Sequence, residues 1–138
     1  AAVRLSDTPG NEYNGSRHAR TPALLFEYER DGDRDVFIME PDGRRTNLTR
    51  HPARDHLPAW SPDGERIVFS SRRDGNDEVY VMRADGSGLR NLTNHPSVDV
   101  MAKWSPDGTR IVFVSNRDGG FRLHVMTAEG TDVRPVER

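Results

Sequence analysis

"AWSPDGERIVFSSRRDG" runs from Ala59 to Gly75, and "KWSPDGTRIVFVSNRDG" from Lys103 to Gly119. The pentapeptide Trp-Ser-Pro-Asp-Gly stands at Trp60–Gly64 and returns at Trp104–Gly108, 44 residues on. The repetition extends outward at the same spacing. Leu48-Thr49 matches Leu92-Thr93, His51-Pro52 matches His95-Pro96, Asp55 matches Asp99, and Arg73-Asp74-Gly75 matches Arg117-Asp118-Gly119. A third, weaker copy lies 43 residues upstream: Arg30-Asp31-Gly32 precedes Arg73-Asp74-Gly75, and "MEPDG" (Met39–Gly43) precedes "MRADG" (Met82–Gly86). In that copy the Trp position holds Arg17, and "SPDG" has become "HART" (His18–Thr21). The chain therefore reads as one unit, residues 1–138, of three repeats at about 4–47, 48–91 and 92–138.

A period of this length belongs to solenoids and propellers, and the local pattern decides between them. "RIVFSS" and "RIVFVS" are β-branched and aromatic runs, and "DVFIME", "EVYVMR" and "RLHVMT" share their character. Pro-Asp-Gly, Arg-Asp-Gly and Ala-Asp-Gly bound them and place glycine where a turn needs positive φ. No stretch keeps a helical period over a helix length. Four short strands fit each copy, near His56–Trp60, Arg66–Arg72, Glu78–Arg83 and Leu89–Thr93 in the second. Four antiparallel strands in roughly 40–45 residues is the arithmetic of a propeller blade. The fold class expected is all-β: a β-propeller of three four-stranded blades per chain. In that setting Trp60, Pro62, Asp63 and Gly64, with Trp104, Pro106, Asp107 and Gly108, form a structural blade motif. The Pro-Asp-Gly segment turns the chain between the first and second strands, and the tryptophan fills the gap between twisted sheets.

The order Leu-Thr, His-Pro, Asp, Trp-Ser-Pro-Asp-Gly, Ile-Val-Phe, Asp-Gly in "LTNHPSVDVMAKWSPDGTRIVFVSNRDGGFRLHVMTAEG" resembles the WD40-like repeat of TolB-type β-propellers. The resemblance covers nearly the whole chain. It implies a six-bladed ring, protein partners and an extracytoplasmic, periplasmic setting. It says little about activity, because propellers host many functions.

Composition bounds the rest. Of 138 residues, 20 are basic and 22 acidic, so the net charge of −2 gives no reason to expect nucleic acid or an anionic membrane as partner. With no cysteine there are no disulfides and no thiolate metal or redox sites. No apolar run approaches the roughly 20 residues that span a bilayer. "AAVRLSDTPG" lacks the basic stretch followed by an apolar one that marks a signal peptide. Hydrophobic residues make up only 33% of the chain, a thin supply for a self-contained core. Three blades would also leave two apolar blade faces uncovered, a state proteins rarely tolerate. Either the chain is a piece of a longer propeller, or two chains pair to complete six blades. The second is expected: a homodimer closed by two equivalent head-to-tail contacts. "AVRLS" and "VRPVE" both align with the outer strand, and Pro135 lacks a backbone donor. The N-terminal segment, Val3–Ser6, is therefore expected to take the outer place on the partner's last blade.

Ligand-binding candidates lie in the loops that lead into each first strand, on the face where the resemblance places a central funnel. Glu12, Asp55 and Asp99 put one acid per copy at one register. A ring of these acids would bind a cation or a basic peptide, and their mutual repulsion would raise their pKa values. The competing role is a backbone-capping Asx interaction, which Glu12 would serve less well. His51 and His95 repeat beside them, but His56 does not, and a transition metal needs three or four converging ligands; no metal or other cofactor is expected. "RDGDRD" and "RDGNDE" lack the frame of a calcium loop and read as hairpin turns. Of the three sequons, at Asn14, Asn47 and Asn91, two arise from the repeat itself. There is no Gly-x-Ser-x-Gly elbow and no phosphate-binding glycine loop. The function expected is a non-enzymatic binding module whose funnel takes a peptide, protein or small ligand. The alternatives are the propeller portion of a hydrolase or peptidase, or a fragment with assembly behaviour only.

Overall fold

The computed structural model describes residues 10–137. Among the described residues, twelve strands form three antiparallel four-stranded sheets. The first holds β1 (Asn11–His18), β2 (Thr21–Arg30), β3 (Asp33–Met39) and β4 (Arg45–Asn47). The second holds β5 (Asp55–Trp60), β6 (Arg66–Ser71), β7 (Glu78–Arg83) and β8 (Arg90–Asn91). The third holds β9 (Asp99–Trp104), β10 (Arg110–Ser115), β11 (Arg122–Thr127) and β12 (Arg134–Pro135). Each sheet runs in strict chain order, so each is one blade.

The turns follow from the quoted motif. In Ser-Pro-Asp-Gly the Ser61 N–H donates to Arg66 O at 2.8 Å and the Gly64 N–H returns to Ser61 O at 2.9 Å. Ser61 Oγ donates to Asp63 Oδ1 at 2.5 Å and accepts the Arg66 N–H at 2.9 Å. Ser105 and Asp107 repeat the arrangement at 2.6 Å, with Thr109 adding a second hydroxyl donor. These donors hold the Asp107 carboxyl down to about 2, and they lower Asp63 as well. The first blade, with His18–Thr21 in place of the motif, makes a tighter turn, His18 pairing directly with Thr21.

The core lies between blades. Leu25, Val36 and Leu48 of the first blade pack with Trp60, Ile67, Phe69, Tyr80 and Met82 of the second. Ala59, Val68, Val79, Val81 and Leu92 of the second pack with Ala102, Ile111, Phe113 and Met126 of the third. Alternate residues of β6 thus face opposite neighbours, as a sheet covered on both sides requires. His18 lies 6.0 Å from the Trp60 ring, and the Arg66 guanidinium stands 4.6 Å over Trp104, so each tryptophan meets the preceding blade.

Each inner strand carries one extra residue. Asn14, Leu57 and Met101 sit at equivalent positions with φ of 51, 55 and 59°, and the ladder slips beside each. Non-glycine residues enter this region at a cost, and here a bulge holds them there.

The outer place on the third blade is taken by β12, through His124–Pro135 and Val125–Arg134 pairs and a Val136 N–H to Leu123 O bond of 2.9 Å. Pro135 is tolerated because an edge strand needs donors on one side only. The C-terminal segment, the weaker ladder strand by sequence, thus pairs within its own blade. Val3–Ser6 lie outside the described residues.

Candidate functional site

The loops between blades are tied down by side chains one blade at a time. Asp35 is the third residue of β3, and its carboxylate accepts from Asn47 Nδ2 at 2.6 Å, Thr49 Oγ1 at 2.7 Å and the His51 N–H at 3.2 Å. Glu78 does the same at the start of β7, accepting from Asn91 Nδ2 at 2.6 Å and the His95 N–H at 2.9 Å. Asn47 Oδ1 in turn accepts the Thr49 and Arg50 N–H groups, and Asn91 Oδ1 those of Thr93 and Asn94. The two repeated sequons are therefore loop anchors. His51 Nδ1 accepts the Ala53 N–H at 3.0 Å, and His95 Nδ1 meets Ser97 Oγ at 2.7 Å and its N–H at 3.2 Å. Both histidines brace their own loops.

Asp55 and Asp99 begin their inner strands with fully buried side chains. Asp55 Oδ2 accepts from Arg73 Nη2 at 2.9 Å, and Arg73 Nε donates to Ser71 Oγ at 3.0 Å. Asp99, Arg117 and Ser115 repeat the triad with the same distances. The guanidiniums lie over aromatic rings, Arg73 5.0 Å from Tyr80 and Arg117 5.3 Å from Phe113. Burial raises the Asp55 carboxyl pKa, against the opposing pull of Ser71 and Arg73. The cause is lost water, not repulsion from the acids of the neighbouring copies.

Glu12 shares their ladder register, facing Tyr28 as Asp55 faces Ser71 and Asp99 faces Ser115. Its environment differs: it is partly exposed and pairs with Arg45 Nη2 at 3.1 Å. Arg30, which stands where Arg73 and Arg117 stand, pairs at the surface with Asp31. The three acids thus share a register, while the ion pair each makes stays within its own blade. The signal that could have exposed the Asp–Arg link was the joint repetition of opposite charges at 44 residues.

The same end of the blades carries three positions that do not repeat. The first-strand position is Tyr13, His56 and Val100; the second-strand position is Glu29, Arg72 and Asn116; the third-strand position is Arg34, Asp77 and Phe121. In the first blade Arg34 bonds Glu27 at 3.1 Å and Glu29, and stacks 4.4 Å over Tyr13. In the second the charges are reversed: Asp77 accepts from Arg72 Nε at 3.0 Å and lies 3.1 Å from His56 Nε2. In the third, Phe121 stands 64% exposed. Glu27, buried and not foreseen from sequence, also accepts the Leu57 N–H at 2.6 Å and so pins the second blade's bulge to the first blade.

Consecutive four-stranded antiparallel sheets that bury their faces only against one another define a β-propeller. A family model described as the TolB beta propeller domain matches residues 3–89 and again 43–137. The chain belongs to that family. No curated protein matches it. Among solved structures it is similar to an Agrobacterium tumefaciens protein assigned as TolB, at 28% identity and TM-score 0.79, covering 95% of this chain and 50% of that one. TolB from Acinetobacter baumannii superposes with TM-score 0.84 at 20% identity, covering 95% and 33%. A puromycin-hydrolyzing peptidase of Mycobacterium tuberculosis shares the fold with TM-score 0.81 at 15% identity, covering 99% and 23%. The chain spans half the length of the first of these proteins and a third or less of the others.

Proposed function

We propose that this chain is a non-enzymatic binding and scaffold module that closes into a ring with a second copy of itself. Its loop end receives a peptide or protein segment, in an extracytoplasmic setting. The observation that carries the binding role is internal to the repeat. The frame recurs closely in the second and third blades, whereas the three loop-end positions change in charge and polarity even between those two. Residues that hold the fold repeat because each blade solves the same packing problem. Residues that face a ligand have no such reason to repeat. From the first blade to the third, this end runs from a carboxylate–guanidinium group with Tyr13, through Arg72, Asp77 and His56, to exposed Phe121 and Met101. Such a surface suits a segment with one acidic or amide-rich stretch followed by an apolar anchor. His51 and His95 brace the loops beside it, Asp55 and Asp99 hold the Arg73 and Arg117 guanidiniums, and Glu12 pairs with Arg45.

A random-peptide display library panned on the chain tests the proposal. Peptides should enrich, and Arg72→Ala with Phe121→Ala should weaken the enriched binders by about tenfold or more. Both side chains are well exposed, so the fold should survive. Failure of any peptide to enrich, or equal binding to the double variant, would refute it.

A further inference from the structure

The two joints inside the chain share one apolar plan but carry opposite charge at the end away from the loops. Between the second and third blades, Arg66 and Arg90 reach across to the next blade. Arg90 Nη2 lies 2.7 Å and Arg66 Nη1 3.6 Å from the Glu129 carboxylate, and Arg66 also covers Trp104 at 4.6 Å. Arg83 lines the same groove, whose volume is about 230 Å³. Its charged lining is three guanidiniums and one carboxylate.

The joint of the first and second blades has the corresponding groove with other residues. Ladder register puts Ala23 where Arg66 stands, Glu40 where Arg83 stands and Thr46 where Arg90 stands. Asp85 and Trp60 keep the places of Glu129 and Trp104. This groove is nearly twice as large, about 440 Å³, and its charged lining is Glu40 and Asp85 alone. Asp85 spends Oδ1 on the Ser87 N–H and hydroxyl, and neither carboxylate has an ion pair among the described residues. Trp60 lines the groove with 9% of its surface exposed, and its Nε1–H has no hydrogen-bond partner among the described residues. Both walls belong to blades that this chain itself joins, so the groove is internal to the described fold.

We infer that this groove receives an arginine side chain of a protein partner, its guanidinium held by Glu40 and Asp85 beside Trp60. The second joint holds that chemistry within the chain; the first has the acceptors and the indole without the cation. A guanidinium suits both, because it pairs with carboxylates and lies against aromatic rings. The negative lining favours it over neutral or acidic side chains. The volume beyond one guanidinium leaves room for the backbone that carries it. The inference needs neither the ring nor a peptide at the loop end.

The Trp60 indole N–H resonance, assigned by comparison with Trp104→Phe, reports on the groove. N-acetyl-arginine amide should shift it saturably with a dissociation constant of about 1 mM, as suits one side chain at a partly exposed site. The neutral isostere N-acetyl-citrulline amide should not shift it, and guanidinium chloride should bind more weakly. Glu40→Gln with Asp85→Asn should weaken binding about fivefold or more. Thr46→Arg, which restores the counterpart of Arg90, should fill the groove from within and abolish the shift. Both changes lie at sites with some solvent exposure, and an unchanged circular dichroism spectrum verifies the fold. No saturable shift, an equal shift with the citrulline amide, or full binding to Thr46→Arg would each overturn the site. Equal affinity for guanidinium chloride would overturn the assignment to a protein side chain.

Discussion

Removing the carboxylate of Asp55 should be among the costliest single changes in this chain. Its side chain is fully buried, and the Arg73 guanidinium it pairs with is only 11% exposed. Asp55→Ala leaves that cation with Ser71 and two aromatic faces for company. Stranding one partner of a buried pair costs about 3–5 kcal/mol, a large share of the roughly 5–15 kcal/mol that holds a domain together. With a urea slope of about 2 kcal/mol per molar, the midpoint should fall by about 2 M. The double variant Asp55→Ala, Arg73→Met removes the orphaned charge and should recover most of that loss, so the two substitutions should be strongly non-additive. Urea unfolding followed by tryptophan fluorescence measures all four corners of the cycle. A loss below about 1 kcal/mol for Asp55→Ala, or additive effects, would show that water reaches the pair and would refute the argument from burial. The pH dependence carries a second sign. Because the folded-state pKa of Asp55 is raised, the folded chain holds this proton more tightly than the unfolded one. Its protonation thus favours folding below the unfolded pKa, and that contribution is lost as pH rises through the folded pKa. Asp55→Asn should remove that downward component from the stability–pH curve.

Asp107 should behave oppositely: its pKa is held down to about 2, so its contribution is present above the unfolded value and lost as pH falls toward 2. Asp107→Asn should flatten that acid limb in a circular dichroism titration. Gly130→Ala should cost clearly more than Gly43→Ala in urea unfolding of the separated chains. The two share positive φ, worth about 1–2 kcal/mol, but only Gly130 has a carbonyl in the way. Phe113→Ala, at a side chain with no exposure, should destabilise by about 3–5 kcal/mol. No turnover of ester, glycoside or peptide substrates is expected; an activity abolished by one loop-end substitution would contradict this.

The blades were legible in the sequence because their frame is written in residues with one structural use. Pro-Asp-Gly makes a turn, Ile-Val-Phe fills both faces of an enclosed strand, and equal spacing locates the copies. What lay hidden depends on contacts between distant residues. Asp55 and Arg73 are 18 residues apart, and only the fold shows that the acid serves a guanidinium and not a loop. Leu57 and Met101 look like ordinary strand residues, because nothing in a leucine or methionine announces a left-handed bulge. Glu27 sits in a run that reads as a buried strand, and its burial follows from Arg34, Asn14 and the Leu57 amide closing around it. The first copy's Glu12 aligned with the other two acids by register, yet its partner across β1–β4 is Arg45, a residue the repeat does not supply elsewhere.

Every sheet takes its four strands from one unbroken stretch of chain, and the segments joining sheets cross from an outer strand to the next inner one. A genetic duplication or deletion of one 43- or 44-residue period, cut in those segments, would add or remove a blade without dividing any ladder. Such an event leaves each hydrogen-bonded sheet intact and changes only how many copies of the same joint stand in series. Blade number could then drift by whole steps while the fold of each blade stayed the same. The steps a lineage could keep would be those that leave no terminal face bare.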